Sequence, residues 1–315
     1  MKIVALAGGV GGAKLADGIY RLIPKVELTV IVNTGDDFTH FGLNISPDLD
    51  TVCYNLAGME NPETVWGRGS ENWETMDLIK KLGGPDWFSL GNKDLATNLE
   101  RTRRLNEGDP LSKITADFCE HWGISARVLP MTDDLVPTMV KTEGGYLPFQ
   151  EYFVKLGTKP EVSGFVFQGI ESSTPSPDVI SEIEGADLVV ICPSNPWVSI
   201  APILSVPGIL DALKKKIVVG ISPIIGGEAV KGPAAKMYLE MGLQPSALSV
   251  AEGYGDLITG FVIDQKDKKL IKDIVSSFDG KIWILQADTW MENRQDRIRL
   301  AGEVVIFGNQ LIKEV

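Results

Sequence analysis

The first fifty residues constrain this chain more than any other stretch. An apolar run, Ile3-Val4-Ala5-Leu6-Ala7, leads into Gly8-Gly9-Val10-Gly11-Gly12-Ala13-Lys14. A second, Leu28 to Val32, leads into Asn33-Thr34-Gly35-Asp36-Asp37 and then Ser46-Pro47-Asp48-Leu49-Asp50. Apolar residues on consecutive positions suit strands buried on both faces, as in a parallel sheet. Between the runs, Ala13, Leu15, Ala16, Ile19 and Leu22 recur at helical spacing, and Pro24 stops the helix. Strand, glycine loop, helix, strand and acidic loop make a βαβ unit with a right-handed crossover. This is the order in which α/β proteins build a phosphate and metal site.

The same strand and helix alternation resumes late in the chain. Strands are expected at 164–167, 186–192, 217–221, 259–263 and 282–285, and helices at 176–184, 209–214, 232–241, 268–278 and 290–302. That pattern predicts an α/β fold built on a doubly wound parallel sheet. The stretch 33–130 lacks clear strands and reads as helices near 50–56, 74–82, 93–106 and 111–122. Short antiparallel strands are expected at 138–141, 146–149 and 152–156, with Gly144-Gly145 as a hairpin turn. The simplest division is one domain over 1–315 with a largely helical lobe, plus short strands, inserted at about 51–160.

Composition narrows the function classes. A net charge of -12 argues against nucleic acid, whose partners carry a concentrated positive surface, and disfavours an anionic membrane. Cys53, Cys119 and Cys192 are widely spaced and form no CxxC pair, so buried reduced thiols are expected. The N-terminal apolar run is broken by glycines where a signal sequence would continue, and no stretch is long enough to span a bilayer. A cytoplasmic protein is the expectation.

In doubly wound sheets, ligands bind outside the carboxyl ends of the strands. Four loops stand there, at 8–14, 33–50, 192–199 and 222–232, and they are expected to converge on one crevice. The glycine loop lets backbone N–H groups approach an anion at a helix N-terminus. It lacks the GK[ST] ending of a Walker loop, and Lys14 occupies the third glycine position of the dinucleotide fingerprint. Asn33 stands where that fingerprint needs a ribose-binding acid, which counts against an NAD-dependent dehydrogenase. Asp36, Asp37, Asp48 and Asp50 have the hard oxygen donors of a magnesium cradle. Their other reading is local: a helix cap at Asp48 or Asp50 and an Asx turn at Asp36. His40 is a candidate base, though a loop histidine more often serves as a hydrogen-bonding partner. Ser194, Asn195, Ser222, Gly226 and Gly227, with Lys231 as a cation, suit a ribose, base or phosphate, or ordinary turns. Trp66, Trp73 and Trp87 offer flat rings for stacking or for core packing. No nucleophile elbow or Cys/His pair points to covalent catalysis.

These motifs together resemble the 2-phospho-L-lactate transferase family. The resemblance is carried by the glycine loop, Asn33-Thr34-Gly35-Asp36-Asp37, Ser46-Pro47-Asp48-Leu49-Asp50-Thr51 and Asp86-Trp87-Phe88. Leu90-Gly91-Asn92-Lys93-Asp94-Leu95-Ala96-Thr97, Pro193-Ser194-Asn195-Pro196 and Ser222-Pro223-Ile224-Ile225-Gly226-Gly227 follow in the same order. The resemblance implies a Rossmann-like core, a homodimer, and a magnesium-dependent reaction in the making of the deazaflavin coenzyme F-420. A phospholactyl or phosphoenolpyruvyl group would pass from a guanosine-diphosphate-linked donor to the deazariboflavin Fo, releasing GMP. By motif position, Asp50 and Asp36 are the first catalytic and magnesium carboxylates, with Asp37 and Asp48 in support. Asp50 and Lys93, with Asp94 and Trp87 beside them, would meet Fo. Gly9, Gly11, Gly12, Lys14, Ser194, Asn195, Ser222, Gly226 and Gly227 would hold the nucleotide and its phosphates. Asn92 departs from the family's usual Gly-Asp-Arg-Asp. A nucleotide-sugar-binding regulator of similar fold, without transferase activity, is the other reading of the glycine loop.

Overall fold

A computed structural model describes residues 1–230 and 232–314. Seven strands form one parallel sheet: β1 (Lys2–Ala7), β2 (Glu27–Val32), β3 (Arg127–Pro130), β4 (Leu188–Ile191), β5 (Val218–Ile221), β6 (Gly260–Asp264) and β7 (Trp283–Ala287). Their order across the sheet is β7-β6-β5-β4-β1-β2-β3, with every neighbouring pair parallel. From β1 the chain moves outward through β2 and β3, then crosses back and moves outward the other way from β4. This is the Rossmann order, and its switch point lies between the carboxyl ends of β1 and β4.

Side chains alternate across each strand, so each face needs its own helical cover. On one face Ile3, Ala5 and Ala7 pack with α1 (Gly9–Tyr20), α2 (Pro47–Ala57) and α5 (Leu111–His121), through residues such as Leu15, Val52 and Leu111. The same face is closed by the C-terminal helix α6 (Arg294–Glu314), through Leu300, Val304 and Phe307. Val4 and Leu6 turn the other way, into a cluster with Val179, Ile183, Ile209 and Tyr238. Two further helices of the long β2-to-β3 connection, α3 (Glu74–Lys81) and α4 (Asn92–Asn106), lie between α2 and α5 in sequence.

Four details depart from the sequence reading. The stretch 33–130 contains a sheet strand, β3, and a small hairpin of Phe38–His40 with Leu43–Ile45. Four residues at an edge are too few to show a period, and Pro130, having no N–H, is tolerated there. Residues 152–156 are not a strand: Glu151–Lys155 is one π-helical turn that buries Tyr152 beside Val140 and Val162. Val162–Phe167 does not belong to the parallel sheet but pairs antiparallel with Thr138–Thr142, which also pairs with Gly145–Pro148. Finally, α6 starts at Arg294 rather than 290, because Asn293 Oδ1 accepts the N–H groups of Gln295 and Asp296 at 2.8 and 3.1 Å. All three cysteines are buried and unbridged, with Cys53 and Cys119 Sγ 3.8 Å apart. Among the described residues no helix is long and apolar enough to cross a membrane.

Candidate functional site at the sheet switch point

A cavity of about 710 Å³ opens at the switch point. Gly8, Gly9, Gly11 and Lys14 reach it from the end of β1, and Asp36 from the end of β2. Asp48 and Asp50 come from the first turn of α2, Ser194 and Asn195 from the end of β4, and Ser222 from the end of β5. The four loops expected to converge all contribute. A fifth, 289–292 after β7, joins them.

The glycines are there because other groups occupy the space a side chain would need. A Cβ on Gly8 would lie 2.6 Å from Asp48 Oδ2 and 2.7 Å from Ser199 Cβ, and one on Gly11 only 2.2 Å from the Pro193 carbonyl oxygen. The start of α1 is thereby pressed against the turn after β4. Ser194 Oγ accepts the Gly8 N–H at 3.2 Å, and Asp48 Oδ1 accepts the Gly9 N–H at 2.8 Å. Asp48 therefore caps α1, across the site, as well as sitting in the first turn of α2.

Asn33 ties this arrangement together. Its Nδ2 lies 3.1 Å from Asp36 Oδ1, 2.9 Å from Asp48 Oδ2 and 3.1 Å from the Val198 carbonyl, while its Oδ1 accepts the Gly35 N–H at 2.8 Å. An acid here would face two carboxylates, so the absent ribose-binding acid has a local cause. Burial pushes the Asp36 carboxyl well up, and the nearby Asp48 charge adds to it. Burial raises Asp48 to about 6, against the Asn33 and Gly9 hydrogen bonds. Two carboxyl groups that resist ionising side by side present a locus where a cation or donor group is stabilised.

A second cluster joins α2 to α4. Arg101, buried in α4, is salt-bridged to Asp50 and held by Asn98 Oδ1 at 2.5 Å and the Asn44 carbonyl at 3.3 Å. Burial raises the Asp50 carboxyl and Arg101 opposes the rise. One turn further along α2, the Tyr54 hydroxyl donates to Asp94 Oδ1 at 2.8 Å. Glu71 fixes the start of α4 by accepting the Lys93 and Asp94 N–H groups, each at 2.9 Å.

Other expected residues fall on or off this cavity. Trp66 and Trp87 line it with Phe88, Phe149 and Phe153. Trp87 is clasped by His40, whose ring lies 5.0 Å away edge-on, and by Lys155 Nζ at 5.7 Å. His40 is built into that aromatic group, its pKa lowered by burial. Gly12 packs behind the cavity, where a Cβ would lie 2.5 Å from Ser194 Oγ. Asp37 also lies behind it, accepting the Ser46 hydroxyl at 2.7 Å. Lys93 is exposed, its Nζ bonded to the Gly69 carbonyl at 3.2 Å. Trp73 is exposed elsewhere. Gly226 and Gly227, with φ of 61° and 85°, form the turn of the two-residue hairpin Ile224–Ile225 and Glu228–Ala229. Lys14 Nζ donates to the Met291 carbonyl at 2.5 Å. Lys231 lies outside the described residues.

The sequence reading did not single out Arg101, Tyr54, Phe149, Phe153 or residues 289–292 as site residues. Arg101 carried no motif, only its place on a helix. The 289–292 loop follows a strand, so the rule that found the other loops applies to it. Placing the start of the last helix at 290 hid it.

The fold and the cavity define a Rossmann-type α/β protein with a cavity of ligand size at its switch point. The model of the family described as 2-phospho-L-lactate transferase CofD matches residues 3–289. A phosphoenolpyruvate transferase of Streptomyces griseus is 43% identical over 282 residues, covering 87% of this chain and 89% of that protein. A 2-phospho-L-lactate transferase of Methanopyrus kandleri is 37% identical, covering 99% of each chain. A crystal structure of a UPF0052 family member from Bacillus halodurans shares the fold, with a TM-score of 0.63 at 15% identity over 96% of this chain and 99% of that one. The chain belongs to the 2-phospho-L-lactate transferase CofD family and is a transferase of that type.

Proposed function

We propose that this chain transfers a 2-phospho-L-lactyl or phosphoenolpyruvyl group from a guanosine-diphosphate-linked donor to the ribityl hydroxyl of the deazariboflavin Fo, releasing GMP. The observation that carries the reading is one cavity holding the start of α1, the Asn33-linked Asp36 and Asp48, and an aromatic wall. The N–H groups of Val10 and Gly11, in the first turn of α1 beyond the Asp48-capped Gly9, suit diphosphate oxygens. Ser194, Asn195 and Ser222 stand beside them for the rest of the nucleotide. The rings of Trp66, Trp87, Phe88, Phe149 and Phe153 suit a flat deazaflavin, since aromatic faces stack in offset or edge geometry.

Among the described residues no group of three or more His, Cys, Asp or Glu forms a closed metal cage. Magnesium needs only one or two carboxylates when substrate phosphates complete its shell. Asp36 and Asp48 fit that duty: both are buried, both line the cavity, and the Asp48 charge raises the cost of ionising Asp36. The ion, when bound there, neutralises charge on the diphosphate. Asn33 holds the two carboxylates in place, and Asp50, fixed by Arg101, orients the acceptor hydroxyl toward phosphorus.

The test uses purified protein with Fo, magnesium and either guanosine-diphospho-lactate or its enolpyruvyl analogue, following GMP and the phosphorylated deazaflavin by mass spectrometry. Product is expected from one donor or both, with turnover lost on chelation and lowered at least a hundredfold in Asp36→Asn. Absence of product with both donors overturns the reading.

A further inference from the structure

Two carboxylates at the α2–α4 corner line the cavity in unlike surroundings. Asp50 is salt-bridged to buried Arg101, a cation that keeps its protons throughout the working range. Asp94, in the first turn of α4, is held instead by a neutral hydroxyl, Tyr54, at 2.8 Å. Tyr54 is in turn anchored 2.9 Å from Thr97 Oγ1. The geometry points to Asp94 as the catalytic residue that takes the proton of the attacking hydroxyl, with Asp50 a fixed negative charge that orients it. This rests on the transfer reaction proposed above.

In that step the acceptor oxygen forms its bond to the phosphorus bearing the three-carbon unit. The bridging P–O bond breaks, its electron pair leaving on GMP, and the hydroxyl proton passes to the Asp94 carboxylate. Solvent takes that proton once product has left. The titratable and charged groups around Asp94 are Asp50 and Tyr54 from α2, Arg101 from its own helix, and Glu71 at the cap of α4. Arg68 sits over the Tyr54 ring at 5.4 Å. Burial and then the Asp50 charge push the Asp94 carboxyl up to about 7, against the Tyr54 hydrogen bond and Arg101. A base of that pKa accepts protons most effectively near neutral pH. Carboxyl pairs whose surroundings drive their pKa values apart divide acid–base labour in this way.

The deciding experiment is the pH profile of kcat and of kcat/KM for Fo, in wild type, Asp94→Asn and Tyr54→Phe. Wild type is expected to show a rising limb with an apparent pKa near 7. Asp94→Asn loses about 10²- to 10⁴-fold in kcat, loses the limb, and keeps the GDP affinity of wild type. Tyr54→Phe removes a hydrogen bond that favours the carboxylate, so its limb moves to higher pH. An Asp94→Asn enzyme within tenfold of wild type that retains the limb overturns the assignment while leaving the transfer reaction intact. If Asp94→Asn does not fold, a Tyr54→Phe limb that stays in place overturns it instead. Wild type inactive with both donors removes the reaction itself.

Discussion

The Asn33 side chain lies within hydrogen-bonding distance of two carboxylates and a backbone carbonyl, and the carboxylates around it are costly to ionise. That cost has a thermodynamic signature. Asp48 and Asp94 titrate in the folded protein at about 6 and about 7, above the ordinary carboxyl value of 3.8. Between that value and the folded one, the folded state binds more protons than the unfolded state, so stability falls as pH rises. These two groups stabilise the ligand-free protein fully below about pH 4 and lose that contribution as pH climbs through 6 and 7. Buried His40, with its pKa lowered, acts in the opposite sense. The Asp94 share is isolated by comparing melting temperatures of wild type and Asp94→Asn from pH 5 to 8. The variant is expected to gain on wild type most steeply from pH 5 to 6, with the gain levelling off as pH passes 7, and a constant difference contradicts the assignment. At this scale the sequence showed the aspartates but not their division. Asp36, Asp48 and Asp50 were legible as an acidic loop, yet only the packing pairs the first two through Asn33 and gives the third to Arg101. Arg101 lies 51 positions from Asp50, so no local spacing announces their contact.

At the scale of elements, the site depends on how closely α1 approaches the turn after β4. Gly11→Ala puts a methyl group 2.2 Å from the Pro193 carbonyl oxygen, a backbone atom that cannot rotate aside. The helix start must move, which costs about 1–3 kcal/mol of stability as overpacking. It also shifts the N–H groups offered to the diphosphate. Denaturant titration should show that loss, and calorimetry at least a tenfold weaker affinity for GDP. Wild-type affinity in a folded variant means the phosphates lie elsewhere. The strands and helices that bear the cavity were mostly legible, because β1 and β2 are six-residue runs buried on all but one position. Three local features were not. The four residues of β3, the π-helical turn at Glu151–Lys155 and the Asn293 cap of α6 are decided by edge position, burial of Tyr152 and one side-chain oxygen. None of these leaves a periodic trace.

Over the whole molecule, seven parallel strands in the order β7-β6-β5-β4-β1-β2-β3 put every strand-following loop at one edge of the sheet. Doubly wound alternation predicted that convergence, and the cavity collects loops from β1, β2, β4, β5 and β7. What alternation could not supply was the strand order, which follows from crossovers between distant segments; the last loop was hidden by starting the final helix at 290 rather than at Arg294. The α6 helix seals the rear of the glycine-loop helix: a Cβ on Gly18 would lie 2.2 Å from the Arg297 carbonyl, and Asp17 accepts Arg297 at 3.0 Å. The first and last helices thus meet behind the site. The central claim is that donor, cation and acceptor meet at this switch point. It is tested most directly by a crystal structure of the protein with GDP and magnesium. The account predicts the diphosphate within hydrogen-bonding reach of the N–H groups at the start of α1, with the ion between the diphosphate and the Asp36 and Asp48 carboxylates. Nucleotide seated outside this cavity, or an ion bound without either aspartate, would contradict it.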